Sequence, residues 1–141
     1  MTICVAPLTI HDYDGVMALW SESKGVGLSD ADDRENILAY LERNPGMSFL
    51  ARDERGAVIG AALCGHDGRR GYIHHLAVHP AHGHEGIGRD LVEKCLATLK
   101  AAGIRKCHLF IFNENQSGIR FWEEIGWETR FDLRVMSKTI S

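Results

Sequence analysis

The stretch His79–Leu91, HPAHGHEGIGRDL, follows directly on YIHHLAV (Tyr72–Val78) and decides how this chain is read. Gly83, Gly86 and Gly88 fall between a strand-like alternating run and a run in which Ile87, Leu91, Cys95, Leu96 and Leu99 recur at helical spacing. A strand, a glycine-rich turn and an amphipathic helix make an anion-binding arrangement. The first N–H groups of a helix lack internal partners, and the helix dipole adds positive potential there. Glycine removes the Cβ that would hold a phosphate off the backbone and permits positive φ. The stretch is not a P-loop, because GK[ST] is absent, and it does not open a first βαβ unit as a dinucleotide fingerprint does.

Working outward, TICVAPL reads as a first strand, followed by a helix with Val16, Leu19 and Trp20 on one stripe, capped by Asp12 or Asp14. After the polar turn SESKGVGLSDADD a second helix runs from Asp33, with Ile37, Leu38 and Leu41 inward, and stops at NPG. MSFLARD and AVIGAALCG are strands joined at ERG, and HDGRRG leads into the strand YIHHLAVH. Gly103 ends the helix behind the glycine turn, KCHLFIF is a further strand, NQSGIRFWEEIG a helix between Asn115 or Ser117 and Gly126, and LRVMSKTI a closing strand. The order βααβββαβαβ, with a further short strand around Trp127, predicts one α/β (α+β) domain over residues 1–141, a mixed sheet flanked by helices.

The 141 residues are 45% hydrophobic and 25% charged, with a net charge of −3, which favours neither broad nucleic-acid binding nor a membrane surface. The start MTICVAPLTI has neither the basic head nor the long apolar run of a secretory signal, and Cys4, Cys64, Cys95 and Cys107 form no CxxC pair; both point to a reduced, cytoplasmic protein. Six of the eight histidines lie between His66 and His84, but without fixed ligand spacing or a cysteine pair they are read as no metal site.

LAVHPAHGHEGIGRDLVEKCL resembles the first signature of the GNAT superfamily of acyl-CoA-dependent N-acyltransferases: a strand ending LAV-x-P, then Q/R-x-x-G-x-G/A, then a helix. NENQSGIRFWEEIGW resembles its second, N-x-x-A-x-x-[FL]-Y-x-x-x-G-[FW], and GHDGRRG is similar to the YpeA-like bacterial members. The resemblance covers nearly the whole chain. It implies a mixed, mostly antiparallel sheet of about six to seven strands with about four helices. It also implies acetyl-CoA as the cofactor. Backbone groups of Leu76, Ala77 and Val78 then pair with the pantetheine arm as an added strand. His82, Gly83, His84, Glu85, Gly86, Ile87, Gly88 and Arg89 cradle the pyrophosphate. Asn115, Ser117, Gly118 and Phe121 line the far side.

The sequence departs from that pattern. Gly83 stands at the Q/R position, His84 where glycine is common and Glu85 where a basic residue is common. A carboxylate close to a pyrophosphate opposes binding unless it points away. His82 and His84 could donate instead, giving binding that weakens as pH rises through the histidine range. Trp122 occupies the position of the tyrosine that protonates the departing thiolate in many members; an indole has no usable acid proton.

Strict alternation places Tyr72, His74, Leu76 and Val78 on one face of their strand and Ile73, His75 and Ala77 on the other. His74 is the candidate base, assisted by Tyr72, since some relatives carry histidines at these two positions; the alternative is a hydrogen-bonded core histidine. His75 is read as packing. A backbone N–H at Leu76 would polarise the thioester oxygen. Trp20, Glu22 and Asp30, with Asp32 and Asp33, are candidate acceptor contacts. The alternatives are a core tryptophan and a solvated acidic loop with capping aspartates. The combined expectation is direct acetyl transfer from acetyl-CoA to a primary amine of a small molecule or peptide. The rival is an acyl-CoA-binding sensor or pseudoenzyme, and C-terminal edge strands leave a homodimer open.

Overall fold

The computed structural model describes residues 2–141. Contacts divide the chain into two compact units, residues up to Phe110 and residues 111–141, each described by itself.

The first unit is built on a five-stranded sheet in the order β1 (Cys4–Pro7), β2 (Phe49–Arg52), β3 (Val58–His66), β4 (Gly71–Val78) and β5 (Cys107–His108). The first three pairings are antiparallel and β4–β5 is parallel, so the expected mixed, mostly antiparallel sheet is present. Helices α1 (Tyr13–Glu22), α2 (Arg34–Arg43) and α3 (Ile87–Ala101) flank it, and short 3₁₀ turns precede each of them, at Ile10–Asp12, Asp30–Asp32 and Pro80–His82. The hairpin between β2 and β3 forms because Asp53 Oδ1 accepts the N–H groups of Arg55 and Ala57, and Gly56 supplies a φ of 84°.

The sheet's two faces are closed by different helices. Val16, Leu19 and Trp20 of α1 and Ile37 of α2 pack with Leu50, Ala61, Leu63 and Ala77 in one buried cluster. On the opposite face α3 comes so close that a Cβ at Gly60 would lie 3.0 Å from Ile87 Cγ2, and one at Gly71 2.6 Å from Leu99 Cδ1. Those glycines let the helix approach the strands. Gly103, with a φ of 83°, ends α3 as anticipated.

The second unit carries α4 (Gln116–Glu124), capped by Asn115, whose side chain accepts the Gly118 N–H at 3.0 Å. The closing strand LRVMSKTI and a strand near Trp127 are not formed among the described residues, so the sheet has five strands rather than six or seven. Strands exist only through pairing, and here Phe131, Leu133, Val135, Met136 and Ile140 stay exposed, while Arg130 and Asp132 bond to each other across a local turn. KCHLFIF is likewise strand only at Cys107–His108, because β5 meets β4 only at Gly71 and Tyr72.

Leu91 is fully buried between α3 and the sheet. We predict that Leu91→Ala lowers unfolding stability by about 2–5 kcal/mol, the range for a buried leucine cavity, as read from urea unfolding monitored by circular dichroism. A change within error of zero would mean that α3 does not pack here as described.

Candidate active site

Tyr72 and His74 share a face of β4 by ordinary alternation, and an irregularity follows directly after them. Ala61 faces Ala77 and Leu63 faces His74, so three steps along β4 match two along β3. The extra residue is a β-bulge, and neither His75 nor Leu76 has a register partner on β3. Because side chains alternate, one inserted residue reverses the faces beyond it. Tyr72, His74 and Ala77 therefore share the face covered by α1 and α2, whereas Ile73 and Val78 share the face covered by α3. The single face expected for Tyr72, His74, Leu76 and Val78 is thus corrected.

The bulge turns on His75, whose φ is 56°. A side chain in the left-handed region costs on the order of 1–3 kcal/mol and persists only where its surroundings impose it, although histidine tolerates the region better than most. The His75 ring lies 5.1 Å from that of Trp20, and its Nε2–H donates to Asp32 Oδ1 at 2.7 Å. Asp32 is buried; its Oδ2 accepts the Ser29 N–H at 3.0 Å, and its carbonyl accepts the Tyr13 hydroxyl at 2.7 Å. His75 packs, as expected, but it also hydrogen-bonds a buried carboxylate, which its position in the sequence does not reveal.

His74 sits in an aromatic cluster. Tyr72 stacks on it nearly parallel at 6.2 Å, Tyr40 of α2 meets it edge-on at 6.0 Å, and Phe110 lies 6.4 Å away. Tyr72 also packs against His108 at 5.8 Å. Burial, and then the neighbouring His75, hold the His74 pKa below its usual 6.5, while Asp32 opposes the shift. The ring is therefore neutral near pH 7 and able to accept a proton. Burial drives the Tyr40 phenol in the other direction, well above its ordinary value, so it stays a neutral donor.

The turn after β4 leads into α3 without a capping side chain at Gly86, which takes a φ of 82°. The residue at position 84, where the family commonly has glycine, is left-handed too: His84 has a φ of 65°. Glu85 Oε1 lies 3.3 Å from His82 Nδ1, so one of the two candidate phosphate donors already faces a carboxylate. Arg89 Nε bonds to Glu93 on the exposed side of α3 at 3.3 Å. Gly83, Glu85, Gly86 and Arg89 are exposed, whereas Ile87 and Gly88 are buried beneath them. An uncapped fifteen-residue helix behind a turn of bare backbone fits a diphosphate. Beyond Tyr72 no described strand pairs with the β5 side of β4, which leaves an edge for an extended arm.

The remaining candidates fall elsewhere. Trp20 is fully buried in the core with its ring 5.1 Å from that of His75, so the reading of Trp20 as a direct acceptor contact is corrected by its burial. Glu22, Asp30 and Asp33 are exposed, and only Asp32 turns inward. In the second unit Asn115 Oδ1 is taken up by α4, with Ser117 Oγ 3.5 Å away, and a Cβ at Gly118 would lie 2.5 Å from the Asn115 side chain. Trp122 packs between Phe121 at 5.3 Å and Trp127 at 4.7 Å. Among the described residues no three His, Cys, Asp or Glu side chains converge as a metal site, and no helix is long and apolar enough to cross a membrane. Cys64 and Cys95 are buried and free.

The profile of the Acetyltransferase (GNAT) family matches residues 13–127. The chain belongs to this family. It is an acetyltransferase, and its acyl donor is acetyl-CoA. An acetyltransferase of Pectobacterium atrosepticum is 30% identical, covering 84% of this chain and 82% of its own length. One of Yersinia enterocolitica is 28% identical over 92% of this chain and 90% of its own. The fold is shared with a PaiA N-acetyltransferase from Thermoplasma acidophilum solved with coenzyme A, at a TM-score of 0.77, 19% identity and 92% coverage of both chains. It is shared also with AAC(6')-Iy solved with a CoA bisubstrate analogue, at a TM-score of 0.76, 17% identity and coverage of 99% and 100%.

Tyr40 and Phe110, which pack around His74, are residues that sequence reasoning did not single out. Tyr40 had a faint signal, one turn on from Ile37; Asp32 was read as an acceptor contact or a cap, and its pairing with His75, 43 residues away, left no sequence signal.

With the native His74 pKa depressed, the unfolded chain binds the extra proton first. The stability this provides is full above about pH 6.5 and is lost as pH falls through the native value. We predict that His74→Gln flattens the decline in unfolding free energy between about pH 7.5 and 5.5. A decline as steep as the wild type's would place the responsible group elsewhere.

Proposed function

We propose that this acetyltransferase transfers the acetyl group directly to a primary amine of a small molecule or peptide, with His74 as the base. The observation carrying this reading is a half-buried imidazole of lowered pKa on the helix-covered face of β4, beside a bulge and a strand edge that no described strand pairs with beyond Tyr72. A lysine-like amine of pKa about 10.4 is neutral in well under ~1% of molecules at pH 7, so a neutral base is needed to take its proton.

Acetyl-CoA supplies a thioester: the amine nitrogen forms the new C–N bond, the C–S bond breaks, and sulfur leaves as a thiolate. His74 receives the proton that the ammonium gives up to become the attacking amine, directly or through one water, and the second N–H proton passes to solvent as the amide forms. Tyr72 and Tyr40 fix the ring plane of His74 by stacking and edge contact. The Leu76 N–H polarises the acyl oxygen, and Leu76, Ala77 and Val78 offer backbone groups to the donor's extended arm. The N–H groups of Ile87, Gly88 and Arg89, behind Gly86, take the diphosphate. Trp122 supplies no proton, and a thiolate of pKa about 8.5 leaves without one near neutral pH. Because the family match runs from residue 13 to residue 127, we read residues 1–141 as one acetyltransferase domain.

The test is thiol release from acetyl-CoA across a panel of primary amines. With any acceptor that turns over, His74→Ala is expected to lower kcat by about 10²–10⁴-fold and to remove the acidic limb of the kcat/KM profile. An unaltered pH profile would remove His74 from the role, and binding without turnover on every amine would sink the transfer reading. A second prediction concerns the turn. Glu85→Gln should tighten acetyl-CoA binding by about three- to tenfold in low salt, with the gain shrinking as salt is added. Calorimetry showing equal Kd values for both proteins at low salt would mean that Glu85 points clear of the diphosphate.

A further inference from the structure

The bulge in β4 is met by a contact from outside the sheet. We propose that Asp32 and His75 are positioning residues for acetyl transfer: the Asp32 carboxylate grips the His75 ring, locks the left-handed turn of β4 and leaves the Leu76 N–H to serve as donor. This rests on reading the same face as the transfer site.

Three observations converge. His75 holds a φ of 56° in a strand, a conformation that needs an external restraint. The restraint is built rather than incidental, because Asp32 is only 4% exposed and has each of its oxygens engaged. Oδ1 meets His75 Nε2, Oδ2 meets the Ser29 N–H, and the carbonyl accepts the Tyr13 hydroxyl. Trp20 backs the same ring from the core. Finally, His75 and Leu76 are the β4 residues outside the β3 register, so whatever fixes His75 fixes the amide that follows it.

The arrangement has a consequence for the acceptor side. Asp32 belongs to the 3₁₀ turn between α1 and α2, which is held by its own capping box with Ser29. One hydrogen bond therefore ties the α1–α2 connection to the strand that presents the acyl group. Movement of that connection would reach Leu76 through His75, and His74 through the adjoining backbone.

His75→Leu and His75→Gln test this, because both side chains are unbranched at Cβ and bear the same backbone strain. Only glutamine restores an N–H donor where Nε2 stood. In the ligand-free protein, NMR should show the Leu76 amide changing in shift and hydrogen-exchange rate in His75→Leu and in Asp32→Ala, and returning toward wild type in His75→Gln. In thiol-release assays His75→Leu and Asp32→Ala should lose about tenfold or more in kcat, with KM for acetyl-CoA within about threefold, and His75→Gln should recover most of the loss. The proposal is overturned if His75→Gln is as impaired as His75→Leu, including by a shared folding defect, or if the Leu76 amide is indifferent to all three changes. Should the wild type turn over no amine, the transfer reading fails, and the amide-exchange comparison still decides whether the anchor exists.

Discussion

One additional residue in the middle of a paired strand has to be absorbed somewhere, and in β4 it is absorbed between His74 and Ala77. The ladder to β3 is kept on both sides of the insertion, so the strand cannot slip; instead its faces exchange and one residue adopts positive φ. The aromatic residues before the bulge are thereby given to the face under α1 and α2, and Val78 after it to the face under α3. On the other side of β4, β5 is paired only as far as Tyr72 and His108. Beyond Tyr72 no described strand pairs with this side of β4, which leaves a backbone edge beside the half-buried His74 imidazole.

The two helical layers play unlike parts around that edge. On one face, glycines at positions 60 and 71 bring α3 down onto β3 and β4, and its uncapped first turn sits at the end of β4. Its charge complement comes from backbone and dipole more than from side chains, since Glu85 and His82 face each other and Arg89 is turned to Glu93. On the other face the α1–α2 connection sends a single buried carboxylate inward to the bulge while its other acidic groups stay in solvent. β4 is thus approached by unlike elements from its two faces.

Much of the architecture could be read directly from residue order. The three first helices, the hairpin strands and the glycine turn with its helix are set by local periodicity and by Gly and Asx chemistry, which act within a few residues. Where local pattern lacked a partner it failed. The alternation in LRVMSKTI looks like a strand, yet no described strand pairs with it, and KCHLFIF shrinks to two residues once β4 diverges. The candidate site was legible in part. His74, Tyr72 and the turn from Gly83 to Arg89 stood out by residue type and spacing, but the face assignment across YIHHLAV assumed an unbroken period of two, which the bulge violates.

By itself, then, the sequence determined the element types, the mixed antiparallel sheet with its flanking helices, and the family to which the chain belongs, because propensity, periodicity and motif spacing are short-range properties. Only the tertiary structure decided that β4 breaks register, that Asp32 leaves its acidic neighbours to hold His75, and that Trp20 lies behind that ring and not in an open cleft. The physical reason is common to all three. A left-handed histidine is unfavourable on its own and is stabilised by a hydrogen bond to a buried carboxylate and an aromatic contact from distant segments. No window of sequence short enough to read by pattern contains both halves of that balance.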